Sequence, residues 1–339
     1  MALGEFDLIA RWFARAPRRG DVRLGIGDDA ALLDVPAGRT LVAATDTLVE
    51  GRHFLPNAPA RSIGHQALAV NLSDLAAMGA EPAWALLSLS MPDVDESWLD
   101  GFASGFDALA AAHRVDLVGG DTVRGPRVIT VQVLGFVDGA AALRRSGARA
   151  GDRIYVSGTP GEAAAGLDAL RGGTSFDAGN RLVRRYLYAE PRVALGRALV
   201  GHATAAMDVS DGLLGDLAKL CDASGVGARI DLDALPVSPA LAAVHDRGRC
   251  ERYLLEGGDD YELLFTAPPA ARARLAAIAG ELALPITRIG GIVAAPGLVV
   301  RDESGAPMTA LPQAFDHFRS VASPLTPALS AQAGRGSAP

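Results

Sequence analysis

Apolar positions along this chain switch repeatedly between a period near 3.6 and a period of two. In residues 1–16, Phe6, Ile9 and Phe13 recur at the spacing of an amphipathic helix. Residues 22–35 hold short strand-like pieces around Gly25-Ile26-Gly27-Asp28-Asp29. The turn Pro36-Ala37-Gly38 then leads into an apolar run at 40–46 that reads as a buried strand. Residues 61–79 predict a helix, with Leu68, Leu72 and Leu75 on one stripe and Asn71 and Asp74, three apart, on a different face. A strand at 83–91 stops at Pro92, and a helix at 95–114 places Trp98, Phe102, Phe106 and Leu109 on one core-facing side. A strand then runs into Gly119-Gly120-Asp121, and 127–137 is rich in β-formers such as Val131, Val133 and Phe136.

A turn-rich stretch at 146–152 precedes a fresh strand at 153–157 and marks a domain boundary. Helices are expected at 161–171, 179–188 and 190–200, a strand running into Asp208, and a helix at 212–223. Strands at 229–233, 253–255 and 261–266, a helix at 270–282, and strands at 286–293 and 297–301 complete the pattern. The fold class is α/β: an α+β-type N-terminal domain with a mixed sheet at 1–147, then an α/β domain at 148–320. The tail at 321–339, of Ser, Ala, Gly and Pro without periodicity, is expected to be disordered. A length of 339 residues suits two domains.

Composition narrows the chemistry. With 49% hydrophobic residues and no apolar run long enough to span a bilayer, the chain reads as a soluble globular protein. Its first helix lacks the basic start and cleavage site of a signal peptide, so a cytoplasmic protein without membrane attachment is expected. Cys221 and Cys250 form no CxxC pair, which argues against a disulfide framework or structural zinc. A net charge of -7 with no basic run argues against nucleic acid as partner. Lys219 is the only lysine, and no Gly-Lys-Ser/Thr P-loop exists. Any phosphate must be held by metal ions, arginine and backbone N–H groups.

Aspartate stands beside Gly, Ser or Thr at Gly27-Asp28-Asp29, Thr45-Asp46-Thr47, Asn71-Leu72-Ser73-Asp74, Gly119-Gly120-Asp121, Asp208-Val209-Ser210-Asp211-Gly212 and Gly257-Gly258-Asp259-Asp260. Singly, each has a plain structural explanation. Asp and Thr end strands by making turns, Gly pairs make tight turns, and Ser210 or Asp211 is a good N-cap for the 212–223 helix. Gly25-x-Gly27-x-x-Ala30 matches a dinucleotide fingerprint only superficially, because a Pro-Ala-Gly turn arrives before the required helix. Asp46 between two hydroxyls at a strand mouth, and Asp208 directly after Ala205-Ala206-Met207, are harder to explain that way. If the six stretches converge, their carboxylates need divalent cations, which would also bridge a polyphosphate. That is machinery for phosphoryl transfer. His53 can reach a substrate from its loop, and Arg144-Arg145-Ser146-Gly147 can hold phosphate or form a solvated basic turn.

Together with Thr45-Asp46-Thr47-Leu48-Val49, His53-Phe54, the 71–80 segment and Arg145-Ser146-Gly147-Ala148, these motifs occur in an order that resembles the thiamine-monophosphate kinase family, within the aminoimidazole-ribonucleotide synthetase-like superfamily. The resemblance runs from Gly4-Glu5-Phe6 to Asp316-His317-Phe318. It implies ATP-dependent phosphorylation of thiamine monophosphate to thiamine diphosphate with release of ADP, several Mg2+ ions, and a homodimer through the N-terminal domains, which bind ATP and Mg2+. By matching motifs, Asp29, Thr45, Asp46, Asp74, Asp121 and Asp208 would be metal ligands and Asp211 would hold a further ion. Gly120, Asp121, Arg145 and Ser210 would contact ATP, and His53, Asp259 and Phe315 the thiamine phosphate. Asp46 and Asp208 are the expected catalytic pair, Asp46 being the central ligand. Ala44, Asp259 and Phe315 depart from the residues usual in relatives.

The acceptor phosphate is already ionised near neutral pH, so no dedicated base is expected; in-line positioning and charge neutralisation carry the reaction. Two alternatives stay open at this point: another ATP-dependent enzyme of the superfamily, acting on a purine precursor (selenide is disfavoured, because no Cys lies near an N-terminal Gly-rich loop), and a non-catalytic, metal-dependent nucleotide-binding regulator.

Overall fold

The computed structural model describes residues 4–139, 141–302 and 304–308. In chain order its elements are α1 (Glu5–Trp12), β1 (Val22–Leu24), β2 (Leu32–Leu33), β3 (Arg39–Val49), α2 (Ala60–Ala77), β4 (Glu81–Met91), α3 (Glu96–His113), β5 (Asp116–Arg124) and β6 (Val128–Asp138). Then follow β7 (Arg153–Ser157), α4 (Glu162–Arg171), α5 (Arg181–Leu187), α6 (Val193–Leu199), β8 (Ala205–Val209), α7 (Leu213–Ser224), β9 (Gly227–Asp231), α8 (Pro239–Ala242), α9 (Arg247–Glu256), β10 (Glu262–Ala267), α10 (Arg272–Leu282), β11 (Ile286–Val293) and β12 (Gly297–Arg301).

Three sheets result: a small β1–β2 pair, a four-stranded sheet in the order β3-β6-β4-β5, and a six-stranded sheet in the order β12-β9-β11-β7-β10-β8. In the four-stranded sheet β4 and β5 run parallel because α3 crosses over between them, while β6 pairs antiparallel with β3 and β4. In the six-stranded sheet only β12–β9 is parallel. Both large sheets are mixed, as expected for the N-terminal domain. At its β10–β8 end the six-stranded sheet is covered on both faces, so β8 and β10 are buried at every position rather than alternating. Tyr155, Ala206 and Phe265 face the core shared with α2, whereas Ile154, Met207 and Leu264 pack against Leu213, Leu217 and Leu220 of α7.

Helix α2 ties the two halves together. It packs on the four-stranded sheet and α3, and also against α5, α6 and β8. Fourteen of its 18 residues are buried, so the expected separation of a leucine stripe from a polar face does not hold: Asn71 is as buried as Leu72. Small residues explain this, because they admit neighbours on every side. A Cβ on Gly64 would lie 2.0 Å from the carbonyl oxygen of Phe102, one on Gly105 1.9 Å from that of Arg61, and one on Gly196 of α6 1.9 Å from that of Ala76. Each fully buried leucine of α2 contributes about 1.5–3 kcal/mol to this packing.

Four local expectations are corrected. The strand expected at 40–46 continues to Val49 as an edge strand with exposed and half-buried positions alternating, so Asp46 lies within it rather than at its mouth. Gly119-Gly120-Asp121 lies inside β5. Residues 253–255 belong to α9, where Cys250, Tyr253 and Leu254 share the buried face and Asp246 caps the helix by accepting from the Arg249 N–H. Gly212, at φ 102°, precedes α7 as its N-cap in place of Ser210 or Asp211. Phe315 and the 321–339 tail lie outside the described residues.

Candidate active site between the two domains

A cleft of about 500 Å³ opens between the α2 side of the four-stranded sheet and the loops flanking β8 and β10, and Asp46, His53, Asp74, Arg145, Asp208, Ser210, Asp211 and Asp259 line it. Strand β3 supplies Asp46. Successive side chains of a strand point to opposite faces, so neighbouring Thr45 is exposed, and its hydroxyl donates to the Val131 carbonyl at 3.1 Å. Thr47 shares a 2.8 Å hydrogen bond with Thr130. The two hydroxyls that flank Asp46 in the sequence are thus both engaged with β6. The Asp46 N–H, at the sheet edge, donates to Asn71 Oδ1 of α2 at 3.0 Å.

One turn further along α2, Asp74 faces the same cleft, and Ser73 Oγ donates to Asp208 Oδ2 at 2.7 Å. Asp208 is buried in β8. Asp46, Asp74 and Asp208 thus meet across the domain boundary, and their charges feel one another. Burial, then repulsion from Asp208 and Asp46, pushes Asp74 up to about 7 against the opposing pull of Arg145. Burial pushes Asp208 up to about 6, with Ser73 opposing and Asp216 and Asp46 adding to the rise. Asp46 is raised by burial and then by Asp211.

The loop after β8 is held by a residue that motif reading missed. Asp216, fully buried in the first turn of α7, accepts from the Ser210 and Asp211 N–H groups at 2.9 and 3.0 Å with one oxygen. Its other oxygen accepts from Lys219 Nζ at 2.9 Å, and the same ammonium reaches Asp211 at 2.6 Å. An acidic residue in a helix's first turn was the available signal. Opposite, Asp259 and Tyr261 adopt left-handed backbone at φ 63° and 52°. For a tyrosine that conformation is strained, and it is held by Asp259 N–H donating to Ser210 O and Tyr261 N–H to Val209 O, both at 2.9 Å. Burial pushes the Asp259 carboxyl up to about 6; Asp211 adds to the rise, and the Tyr261 hydroxyl, 3.3 Å away, opposes it. His53 accepts the Val49 N–H at Nδ1, 3.0 Å, which leaves the proton of the neutral ring on Nε2.

Asp29, Gly120 and Asp121 lie elsewhere. They line a second cleft at the β5 edge with Asp28, Phe6 and Phe13. Register relates the two clefts: Asp46 pairs with Val131, Val131 with Leu87, and Leu87 with Gly120. Asp46 and Gly120 therefore sit in one row across the sheet, three strand spacings or about 14 Å apart. The structure thus divides the expected ligand set between two clefts. Among the described residues no three His, Cys, Asp or Glu side chains form a ready-made metal cage.

Residues 27–137 match the AIR synthase related protein N-terminal domain, and residues 149–303 the corresponding C-terminal domain. The thiamine-monophosphate kinase of Salmonella typhimurium is 49% identical over 325 residues, 94% of this chain and 99% of that protein. The chain belongs to the thiamine-monophosphate kinase family. It is accordingly a kinase, and the fold follows the family: the crystal structure of thiamine-monophosphate kinase from Stenotrophomonas maltophilia K279a matches with a TM-score of 0.83 at 48% identity, covering 88% of this chain and 97% of that one. AaThiL complexed with AMPPCP and TMP matches with a TM-score of 0.74 at 32% identity, covering 86% and 92%. No helix among the described residues is long and apolar enough to cross a membrane.

Proposed function

We propose that this chain transfers the γ-phosphoryl group of ATP to the phosphate of thiamine monophosphate. An acceptor oxygen forms the new P–O bond, the β–γ bridging bond breaks, and its electron pair leaves with ADP; the product is thiamine diphosphate. The observation that carries this reading is the meeting of Asp46, Asp74 and Asp208, from both domains, in one cleft beside Arg145. It is supported by the likeness to AaThiL complexed with AMPPCP and TMP.

The donor set suits Mg2+. It consists of carboxylate oxygens whose proton affinity is raised by burial and mutual repulsion. Mg2+ commonly takes only one or two carboxylates plus substrate phosphates and water, so a three-carboxylate cage is not required. Asp46, Asp74 and Asp208 would hold it in the interdomain cleft, with Asp211 on a further ion, and Asp29 and Asp121 in the second cleft. When bound, the metal would supply positive charge to the phosphate oxygens. Thr45, its hydroxyl engaged, would contribute through its carbonyl.

The chain's own groups do the rest. Arg145 can make charge-assisted bonds to a phosphate oxygen. Gly120, Asp121 and Ser210 are proposed to contact ATP, and His53, through its Nε2 proton, Asp259 and Phe315 to contact the thiamine phosphate. No side chain need remove a proton from an acceptor that is already ionised. Positioning and charge neutralisation suffice.

The same reading includes a homodimer through the N-terminal domains, in the cytoplasm, with the domain boundary at 147/148. Support for pairing is the eleven-residue edge strand β3, which has no neighbouring strand on its outer side among the described residues and leaves Leu41 exposed. The test is to mix protein, Mg-ATP and thiamine monophosphate and separate the products. Equal amounts of ADP and thiamine diphosphate are expected. ADP without thiamine diphosphate, or no turnover, would overturn the reading.

A further inference from the structure

On the side of β10 away from the candidate active site lies a third concavity, of about 870 Å³, that the phosphoryl-transfer reading does not use. Asp259 and Tyr261 line the active-site cleft, whereas buried Asp260 and Glu262 contact the residues of this other wall. Arg181, Arg184 and Arg185 of α5 line it together with Arg192, Thr159 and His113. In a chain of net charge -7, four arginines gather on one concave surface, with Glu190 the one acidic residue lining it. Three of them fall at i, i+3 and i+4 of a single helix, where like charges repel.

Part of that charge is matched internally. Arg181 grips the buried carboxylate of Glu162 with Nε at 2.7 Å and Nη2 at 3.1 Å. Glu262 is buried too, and accepts from Arg192 at 2.5 and 2.7 Å, Arg185 at 3.0 Å and Ser157 at 2.5 Å. Arg192 also reaches Glu190 at 3.0 Å. The matching is incomplete. Arg184 is exposed and makes no salt bridge among the described residues. Arg185 is only 7% exposed, yet its Nη1 has no hydrogen-bond partner. A buried guanidinium nitrogen without a partner is costly, and here it belongs to a side chain of the cleft wall.

We infer that this arginine cleft is a binding site for a small phosphate-bearing molecule, separate from the site of phosphoryl transfer. Three features point to that ligand class. Guanidinium forks match phosphate oxygens in geometry and charge. The concavity has the size of a small-molecule site rather than of a flat protein contact. The buried Glu162 and Glu262 fix Arg181, Arg185 and Arg192 in place beforehand, so little side-chain freedom is lost on binding.

The experiment uses the full chain in EDTA, with inorganic pyrophosphate as the probe in a calorimetric titration. Without divalent metal the carboxylates of the catalytic cleft repel the probe, so binding there is suppressed. One pyrophosphate per chain is expected. Arg184→Glu, a change at an exposed position, should weaken it at least about tenfold, the loss of roughly one charge-assisted contact. Asp208→Asn, in the catalytic cleft, should leave the affinity unchanged. Thermal melts of both variants, expected to match the parent, check that they are folded. Absence of binding, binding that survives Arg184→Glu, or binding that changes with Asp208→Asn overturns the proposal.

Discussion

Ser73 donates a 2.7 Å hydrogen bond to Asp208, joining two residues 135 positions apart from opposite sides of the domain boundary. The same stretch of α2 holds Asp46 through Asn71 and presents Asp74 to the cleft. One helix thus sets the spacing of three carboxylates that come from two sheets and itself. Because that helix is buried on all sides, the spacing is a property of the core and not of a mobile loop.

Replacing Asp46 by Asn removes the charge and keeps the shape. Its N–H bond to Asn71 is a backbone contact and survives. The melting temperature should stay close to that of the parent, while kcat falls by about 10²–10³ or more, the scale of losing a main electrostatic contact in the transition state. Near-parental turnover at saturating Mg2+ would remove Asp46 from the catalytic set.

Asp216→Ala tests a residue that touches no proposed substrate. It frees two backbone N–H groups and leaves Lys219 with Asp211 alone. The Ser210–Asp211 loop should loosen, with a stability loss of about 1–3 kcal/mol for the orphaned donors and a rise in KM for ATP. Unchanged stability and KM would show that the loop holds its shape without Asp216.

The carboxyls of Asp74 and Asp208 give a pH signature in metal-free protein. Asp74 sits at about 7 in the fold against an ordinary value of 3.8, so the folded state binds its proton more tightly than the unfolded state. The stability this contributes is fully present below pH 3.8 and is lost as pH rises through about 7. In EDTA, Asp74→Asn should therefore gain melting temperature relative to the parent as pH climbs across that window. A difference that stays constant over the window would contradict the raised affinity.

Gly196→Ala probes the seam between domains. Its new Cβ would meet the Ala76 carbonyl oxygen at 1.9 Å, where α6 crosses α2. Overpacking of this kind costs about 1–3 kcal/mol, and by pushing α6 off α2 it should reduce activity along with stability. Gly280→Ala in α10 is the matched control, since nothing lies within 4 Å of its Cβ. There, stability should rise by about 0.4–1 kcal/mol from the reduced freedom of the unfolded chain. Equal effects at the two positions in denaturant titrations would argue against the close crossing.

Periodicity revealed most elements because most elements bury one face. The aromatic spacing of Trp98, Phe102 and Phe106 gave α3, and the bounds of β11 and β12 agree with the expected 286–293 and 297–301. It failed where burial is two-sided or absent. Tyr253-Leu254-Leu255 is too short an apolar run to separate helix from strand, and only the Asp246 cap and Cys250 decide it. The aspartates could be picked out one by one from Gly, Ser and Thr neighbours, but which of them meet is set by long-range packing. Asp208 shares a cleft with Asp74 because α2 crosses the boundary, and Asp121 does not because β5 lies at the far edge of the sheet. Asn71 and Ser73 were in view without their tasks, since a buried polar side chain declares its role only through its partner.

Lys219 carries a consequence for chemical labelling. It is the only lysine in the chain, and its ammonium bridges Asp211 and Asp216 beside the cleft. Apart from the α-amino group, amine-directed reagents have one place to react, on α7 beside the Ser210–Asp211 loop proposed to contact ATP. Its rate of acylation is then a built-in reporter of that loop: slow while the bridge is formed, faster when Asp211 is drawn away to another cation.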